Sequence, residues 1–139
     1  MVSALSVNTT LKQHPLIWSA MNLPHDACKL LAVPSPIGGV LVIGANTIHY
    51  HSQSASCHLG LNNFAVPADG SQEMPRFGFT TELDATTATW LTNDVAVFST
   101  KSGELLLLTL VYDGRLAIYY SHLVLLLVTY GSAVFILFN

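Results

Sequence analysis

Up to Arg115, apolar and polar positions alternate in short blocks separated by Gly, Pro, Asn and Ser. The segment Leu23–Ser52, LPHDACKLLAVPSPIGGVLVIGANTIHYHS, predicts strand, Pro/Gly-rich loop, strand, tight turn, strand. Ala27–Val33 carries Leu30, Leu31 and Val33, and Pro34-Ser35-Pro36 ends it because proline cannot donate to a ladder. Gly38-Gly39 leads into the apolar run Val40–Ile43, and Gly44-Ala45-Asn46 predicts a hairpin turn tolerant of positive φ. Thr47–His51 then alternates, with Ile48 and Tyr50 on one face and Thr47, His49 and His51 on the other. Linked antiparallel strands with buried faces are the material of a β-propeller blade.

The same grammar returns further on. Phe77–Leu83 alternates with period two, Thr86–Leu91 is a second strand candidate, and Val95–Thr100 follows the turn at Asn93-Asp94. Lys101-Ser102-Gly103 predicts a hairpin into the long strand Glu104–Tyr112, closed by the turn signal Asp113-Gly114. Val40–Ile43 and Thr47–His51 correspond to Val95–Thr100 and Glu104–Tyr112, an offset of roughly 55 residues, in the range of large propeller blades. The expected organisation is a lead-in over 1–22, partial blades over 23–115 with a polar loop insertion near 53–75, and a distinct tail over 116–139. The fold class is all-β, a partial β-propeller of about one and a half blades. A closed ring takes typically four to eight blades, so such a chain cannot close one alone.

Composition sharpens this picture. Of 139 residues, 51% are hydrophobic and 9% charged, against about 25% charged in ordinary soluble domains. Net charge is −3, and the five cations Lys12, Lys29, Arg76, Lys101 and Arg115 are scattered. Nucleic-acid binding needs clustered positive charge to displace counterions, so the segment by itself is a poor RNA binder. Cys28 and Cys57 are expected as reduced, half-buried thiols, since a disulfide scaffold is far denser in cysteine. The N-terminus lacks the basic and apolar regions of a secretory signal, which leaves the sequon Asn8-Thr9-Thr10 without meaning.

Candidate chemistry is sparse. His49, His51, Cys57 and His58 fall within ten residues and invite a zinc reading. Their spacing, H-x-H-x5-C-H, matches no paired structural zinc pattern, and adjacent Cys57 and His58 are awkward joint ligands. The expectation is a solvent-facing strand bearing polar histidines, with no metal. Gly39–Gly44 has the outer spacing of a phosphate loop, but Ala45-Asn46 stand where Lys and Ser/Thr belong, so no cofactor is expected. Glu82, Asp84 and Asp94 sit as loop and strand-end acids, and no nucleophile elbow frames a Ser/His/Asp site. No catalytic residue is assigned, and the chain is expected not to be an enzyme. Trp18, Phe79 and Trp90 are expected as core aromatics, not base-stacking platforms.

Two runs carry a family resemblance. The first joins Leu11–Trp18 (LKQHPLIW) to LPHDACKLLAVPSPIGGVLVIGANTIHYHSQSASC; the second is Glu82–Arg115, ELDATTATWLTNDVAVFSTKSGELLLLTLVYDGR. With the stretch between them, the segment from about Ser3 to Arg115 resembles the N-terminal propeller region of the large-subunit family of the cleavage and polyadenylation specificity factor, in plant-like form. The wider family includes the DNA-damage-binding propeller protein and a large splicing-factor subunit, which stand as alternative parents. The resemblance implies a non-enzymatic, RNA-associated nuclear scaffold of pre-mRNA 3′-end processing. Its partners would be other subunits of the complex and, through them, pre-mRNA; no RNA-contacting residue carries over.

Leu116–Asn139, LAIYYSHLVLLLVTYGSAVFILFN, departs from that text and contains no Asp, Glu, Lys or Arg. The family would place a charged closing strand here. Three readings compete: a membrane-spanning helix over Leu116–Phe138, which would make the chain a small single-pass membrane protein; two strands turning at Gly131-Ser132; or a segment from alternative splicing or a gene-model artefact, since uridine-rich codons encode these residues. Membrane association is expected only through this tail. Without a charged closing strand, the long strand Glu104–Tyr112 is expected to expose an unpaired edge.

Overall fold

The computed structural model describes residues 1–65, 81–112, 116–123, 128–130 and 133–135. Its strands are β1 (Val2–Leu5), β2 (Leu16–Ala20), β3 (Ala27–Ala32), β4 (Val40–Gly44), β5 (Thr47–His51), β6 (Ser56–Gly60), β7 (Thr87–Trp90), β8 (Val95–Ser99), β9 (Leu105–Tyr112), β10 (Leu116–Leu123), β11 (Val128–Tyr130) and β12 (Ala133–Phe135). The all-β expectation holds. The strands form two four-stranded antiparallel meanders, β3-β4-β5-β6 and β7-β8-β9-β10, flanked by the two-stranded ribbons β1-β2 and β11-β12.

Each meander arises from local sequence. β3 stops before Pro34, and Gly39, at φ +88°, turns the chain into β4. A Cβ on Gly39 would lie 2.6 Å from the His51 carbonyl oxygen and 2.8 Å from the Tyr50 hydroxyl, so backbone approach here requires glycine. The Tyr50 hydroxyl donates to the Gly38 carbonyl (2.9 Å), tying that turn to β5. In the second sheet Gly103 (φ +86°) makes the turn between β8 and β9, and its Cβ would meet nothing within 4 Å. The repeat inferred from sequence holds in topology: β4 and β5, like β8 and β9, are the second and third strands of their sheets.

The two sheets share one core. Leu41, Ile43, Ile48, Tyr50 and Leu59 from the first pack with Ala96, Phe98, Leu106, Leu108 and Leu110 from the second, joined by Val33, Leu61 and Leu83. Polar ties reinforce the junction. Lys29 Nζ donates to the Thr86 carbonyl (2.8 Å) and Trp90 Nε1 to the Ala32 carbonyl (2.7 Å), while the Leu83 amide donates to the Ala45 carbonyl (2.8 Å).

Several expectations are corrected. The turn at Gly44-Ala45-Asn46 does not use positive φ. Instead Asp26 Oδ2 accepts from the Asn46 amide (3.1 Å) and from Asn46 Nδ2 (3.3 Å), and a Cβ on Gly44 would lie 2.8 Å from Asp26 Oδ1. Thr81–Leu83 is not strand; Phe77–Thr80, with the core candidate Phe79, lies outside the described residues. Within the stretch expected as a loop near 53–75, Ser56–Gly60 is strand β6, and 66–75 lies outside the described residues. The lead-in over 1–22 is itself a ribbon, and its Trp18 is half-buried there, outside the shared core.

β9 has no open edge, because β10 pairs with it from Leu116↔Tyr112 to Leu123↔Leu105. The start of the tail is therefore extended backbone, which overturns a single helix across Leu116–Phe138. Val128–Tyr130 pairs with Ala133–Phe135, and the turn position expected at Gly131-Ser132 lies outside the described residues. Among the described residues no helix is long and apolar enough to cross a membrane.

Candidate functional site: an imidazole cluster on the first sheet

Strand periodicity places Thr47, His49 and His51 on the face of β5 opposite the shared core. Register sets His49 against His58 of β6 on that face, and against Val42 of β4. The His49 ring lies 5.9 Å from His51 and 5.5 Å from His58, centroid to centroid. This face was expected to meet solvent, and it does not. Thr47, Val42 and His49 are buried, and His51 and His58 are half-buried. In β4 and β5 both faces are buried, from Leu41 to Gly44 and from Thr47 to Tyr50.

Burial sets the electrostatics. The His49 imidazole is pushed down to about 4, first by desolvation, then by repulsion from His58 and His51, with Asp26 opposing. His51 is lowered by the same burial and by His58. The Nε2 atoms of His49 and His51 are buried and make no hydrogen bond.

Cys57 does not join them. It pairs with Tyr50, so its side chain belongs to the core face, where burial pushes the thiol up to about 11. Such a thiol stays protonated and unreactive at neutral pH. Cys28 and Cys57 are both free; Cys28 is exposed, not half-buried as expected, and its Sγ–H donates to the Ile43 carbonyl at 3.3 Å.

The remaining candidates stand apart. Trp90 packs against the core with its indole N–H committed to Ala32. Asp94 Oδ1 accepts from the Thr92 hydroxyl (2.6 Å) and thereby shapes the β7–β8 turn. Glu82 and Asp84 lie in the connection before β7. Gly39 turns the chain at positive φ, and Gly44 admits the close approach of Asp26. One polar hub escaped sequence reading: Asn62 Nδ2 donates to Asn46 Oδ1 (2.8 Å) and to the Thr81 carbonyl (3.0 Å). Asp26, Asn46 and Asn62 thus lock the end of the first sheet to the start of the second, and only the Asn in the turn signal hinted at it.

The architecture defines an all-β chain of repeated antiparallel meanders whose faces pack on one another. In sequence the chain is homologous to a segment of cleavage and polyadenylation specificity factor subunit 1. It is 75% identical over 114 residues to that subunit of Arabidopsis thaliana, which covers 82% of this chain and 8% of the relative. The probable counterpart in Oryza sativa subsp. japonica is 68% identical over 115 residues, 83% of this chain and 8% of the relative. The Drosophila melanogaster subunit is 32% identical over 111 residues, 79% of this chain and 8% of the relative. The chain therefore spans 8% of the length of these relatives. No family model matches it.

Proposed function

We propose that this chain is a segment of a nuclear scaffold subunit in pre-mRNA cleavage and polyadenylation, with an architectural and not a catalytic role. The observation that carries this reading is the 75% identity, over 114 residues, to a subunit whose name states that activity. The meanders support a finer reading as two β-propeller blades, because each is a four-stranded up-and-down sheet and the two stack face to face. Two blades fall short of the typical four to eight, so the unit works as part of a larger ring.

Its partners on this reading are the other subunits of the factor, with pre-mRNA engaged through the assembly. A net charge of −3 and five scattered cations favour protein contacts over direct RNA contacts. The tail over 116–139, free of Asp, Glu, Lys and Arg, fits an alternatively spliced or gene-model origin; its loss of charged text after Arg115 is the supporting feature.

The test is affinity purification of the tagged chain from plant nuclei. Co-purification with other subunits of the factor is expected, and alkaline-resistant association with membranes instead would overturn the scaffold reading. Transcript sequence across the Arg115 codon tests the tail. A splice donor there, with a charged closing strand encoded downstream, is the expected result; an uninterrupted exon through Asn139 would exclude it.

A further inference from the structure

The ribbon β1-β2 is not absorbed by the shared core. Among the described residues its two strands pair only with one another, while each of the two larger sheets has four strands. None of its residues belongs to the buried cluster between the meanders. Leu5, Leu16 and Ile17 on the strands, Val7 and Leu11 in their connection, and Met21 just beyond are each more than half exposed. A two-stranded ribbon is marginal in water by itself; a stable sheet needs three or more strands or packing against another element.

The outer edges of the ribbon identify what would cover them. A permanently open edge is ordinarily blunted by charge, proline or a bulge, since its free N–H and C=O groups invite another strand. VSAL and LIWSA contain no Asp, Glu, Lys, Arg or Pro, and a register shift between Ala4 and Leu5 is the one irregularity in their pairing. Lys12, in the connection, is the single Asp, Glu, Lys or Arg of residues 1–22. Such a surface offers a nucleic acid no counterion exchange and a charged partner no pattern to read. It offers backbone hydrogen bonds and apolar side chains, which is the chemistry of strand addition.

The chain spans 8% of the length of its relatives, so most of such a subunit lies outside it. A strand on the same polypeptide meets the ribbon at an effective concentration that a diffusing partner rarely matches. We infer that β1 and β2 are half of a further four-stranded antiparallel sheet, whose other strands belong to the subunit outside this chain. The inference rests on the reading of the chain as a segment of that subunit. It makes the ribbon a clasp onto a part of the polypeptide beyond the two meanders.

The test places residues 1–115 of this chain in the full-length Arabidopsis thaliana subunit, in exchange for its matching segment. Hydrogen–deuterium exchange of that chimera is compared with that of the 139-residue chain. Amides of Val2–Leu5 and Leu16–Ala20, including those that point away from the ribbon's own ladder, should exchange at least about 10-fold more slowly in the chimera. Leu16→Lys and Ile17→Lys, at exposed positions, should leave the thermal midpoint of the 139-residue chain unmoved and lower that of the chimera. Equal exchange of the ribbon in both proteins, or a chimera midpoint indifferent to both substitutions, would overturn the inference. Protection already present in the 139-residue chain, together with a dimer in sedimentation, would assign the edges to a second copy and overturn it as well. Co-purification of the chimera with other subunits is read in the same preparations; its loss with the ribbon still protected counts against the scaffold reading alone.

Discussion

The two four-stranded sheets share a topology but differ in how they treat their second face. In β8 and β9, buried and half-buried positions alternate: Ala96 and Phe98, then Leu106, Leu108 and Leu110, point inward, while Val97, Leu107 and Thr109 stay partly exposed. In β4 and β5 that alternation disappears, and nearly every residue from Leu41 to Tyr50 in these strands is buried. The central strands of the second sheet are thus buried on one face, and those of the first on both, although the edge strand β3 stays largely exposed. A two-faced layer must bury polar groups whenever its sequence alternates, and the orphaned nitrogens of His49 and His51 follow from that.

The comparison breaks first at the shared core. Phe98→Ala and Leu41→Ala each remove a fully buried side chain from the junction between the sheets. Losses of about 3–5 and 2–5 kcal/mol are expected, measured as shifts in denaturant midpoint. If the sheets were independent units, each substitution would move only one of two separable transitions; a single displaced transition is the outcome that a common core requires.

The two turn glycines give the next largest contrast. Gly39→Ala forces a Cβ to within 2.6 Å of the His51 carbonyl and also occupies φ +88°, so about 2–3 kcal/mol should be lost. Gly103→Ala has a similar φ of +86° and open space around it, which leaves only the backbone term of about 1 kcal/mol. Equal losses at the two positions would mean that the close approach in the first sheet contributes nothing.

Acid should separate the sheets as well. His49 titrates near its ordinary 6.5 when unfolded and near 4 when folded, so between those values the unfolded chain binds the extra proton. Stability from this group is complete above about 6.5 and is lost as pH falls towards about 4. β7–β9 contain no histidine. Stability should therefore weaken across this window in the parent chain, and His49→Gln should flatten the slope. An unchanged slope would assign the acid sensitivity elsewhere.

Sequence reading captured what is local. Proline ended β3, the Thr47–His51 alternation marked β5 to its last residue, and the Lys101-Ser102-Gly103 turn marked the entry to β9. What it missed depends on distant neighbours. The burial of His49 on the second face of β5 is a tertiary feature that strand alternation does not carry. The β4–β5 turn is fixed by Asp26, 20 residues before Asn46, and not by its own φ angles. β10 was hidden because uncharged apolar text suits a helix in lipid and a strand in a sheet equally well. The histidine face was legible as three residues on one side, but strand alternation alone assigns that side to solvent.

The smallest effect tests the two-faced layer most directly. Thr47 is 2% exposed, and its hydroxyl is buried without a partner, whereas Thr109 is half-buried on the open face of β9. A buried hydroxyl that finds no hydrogen bond has lost its water for nothing, so replacing it with a methyl of similar shape removes a penalty. Thr47→Val should therefore stabilise the chain by about 0.5–1 kcal/mol, against the usual direction for a core substitution. Thr109→Val keeps the same β-branched shape where water still reaches and should fall within about ±0.5 kcal/mol of neutral. The sign of the difference carries the argument: if Thr47→Val destabilises more than Thr109→Val, the Thr47 hydroxyl has a partner, and the second face of the first sheet is wetter than its burial implies.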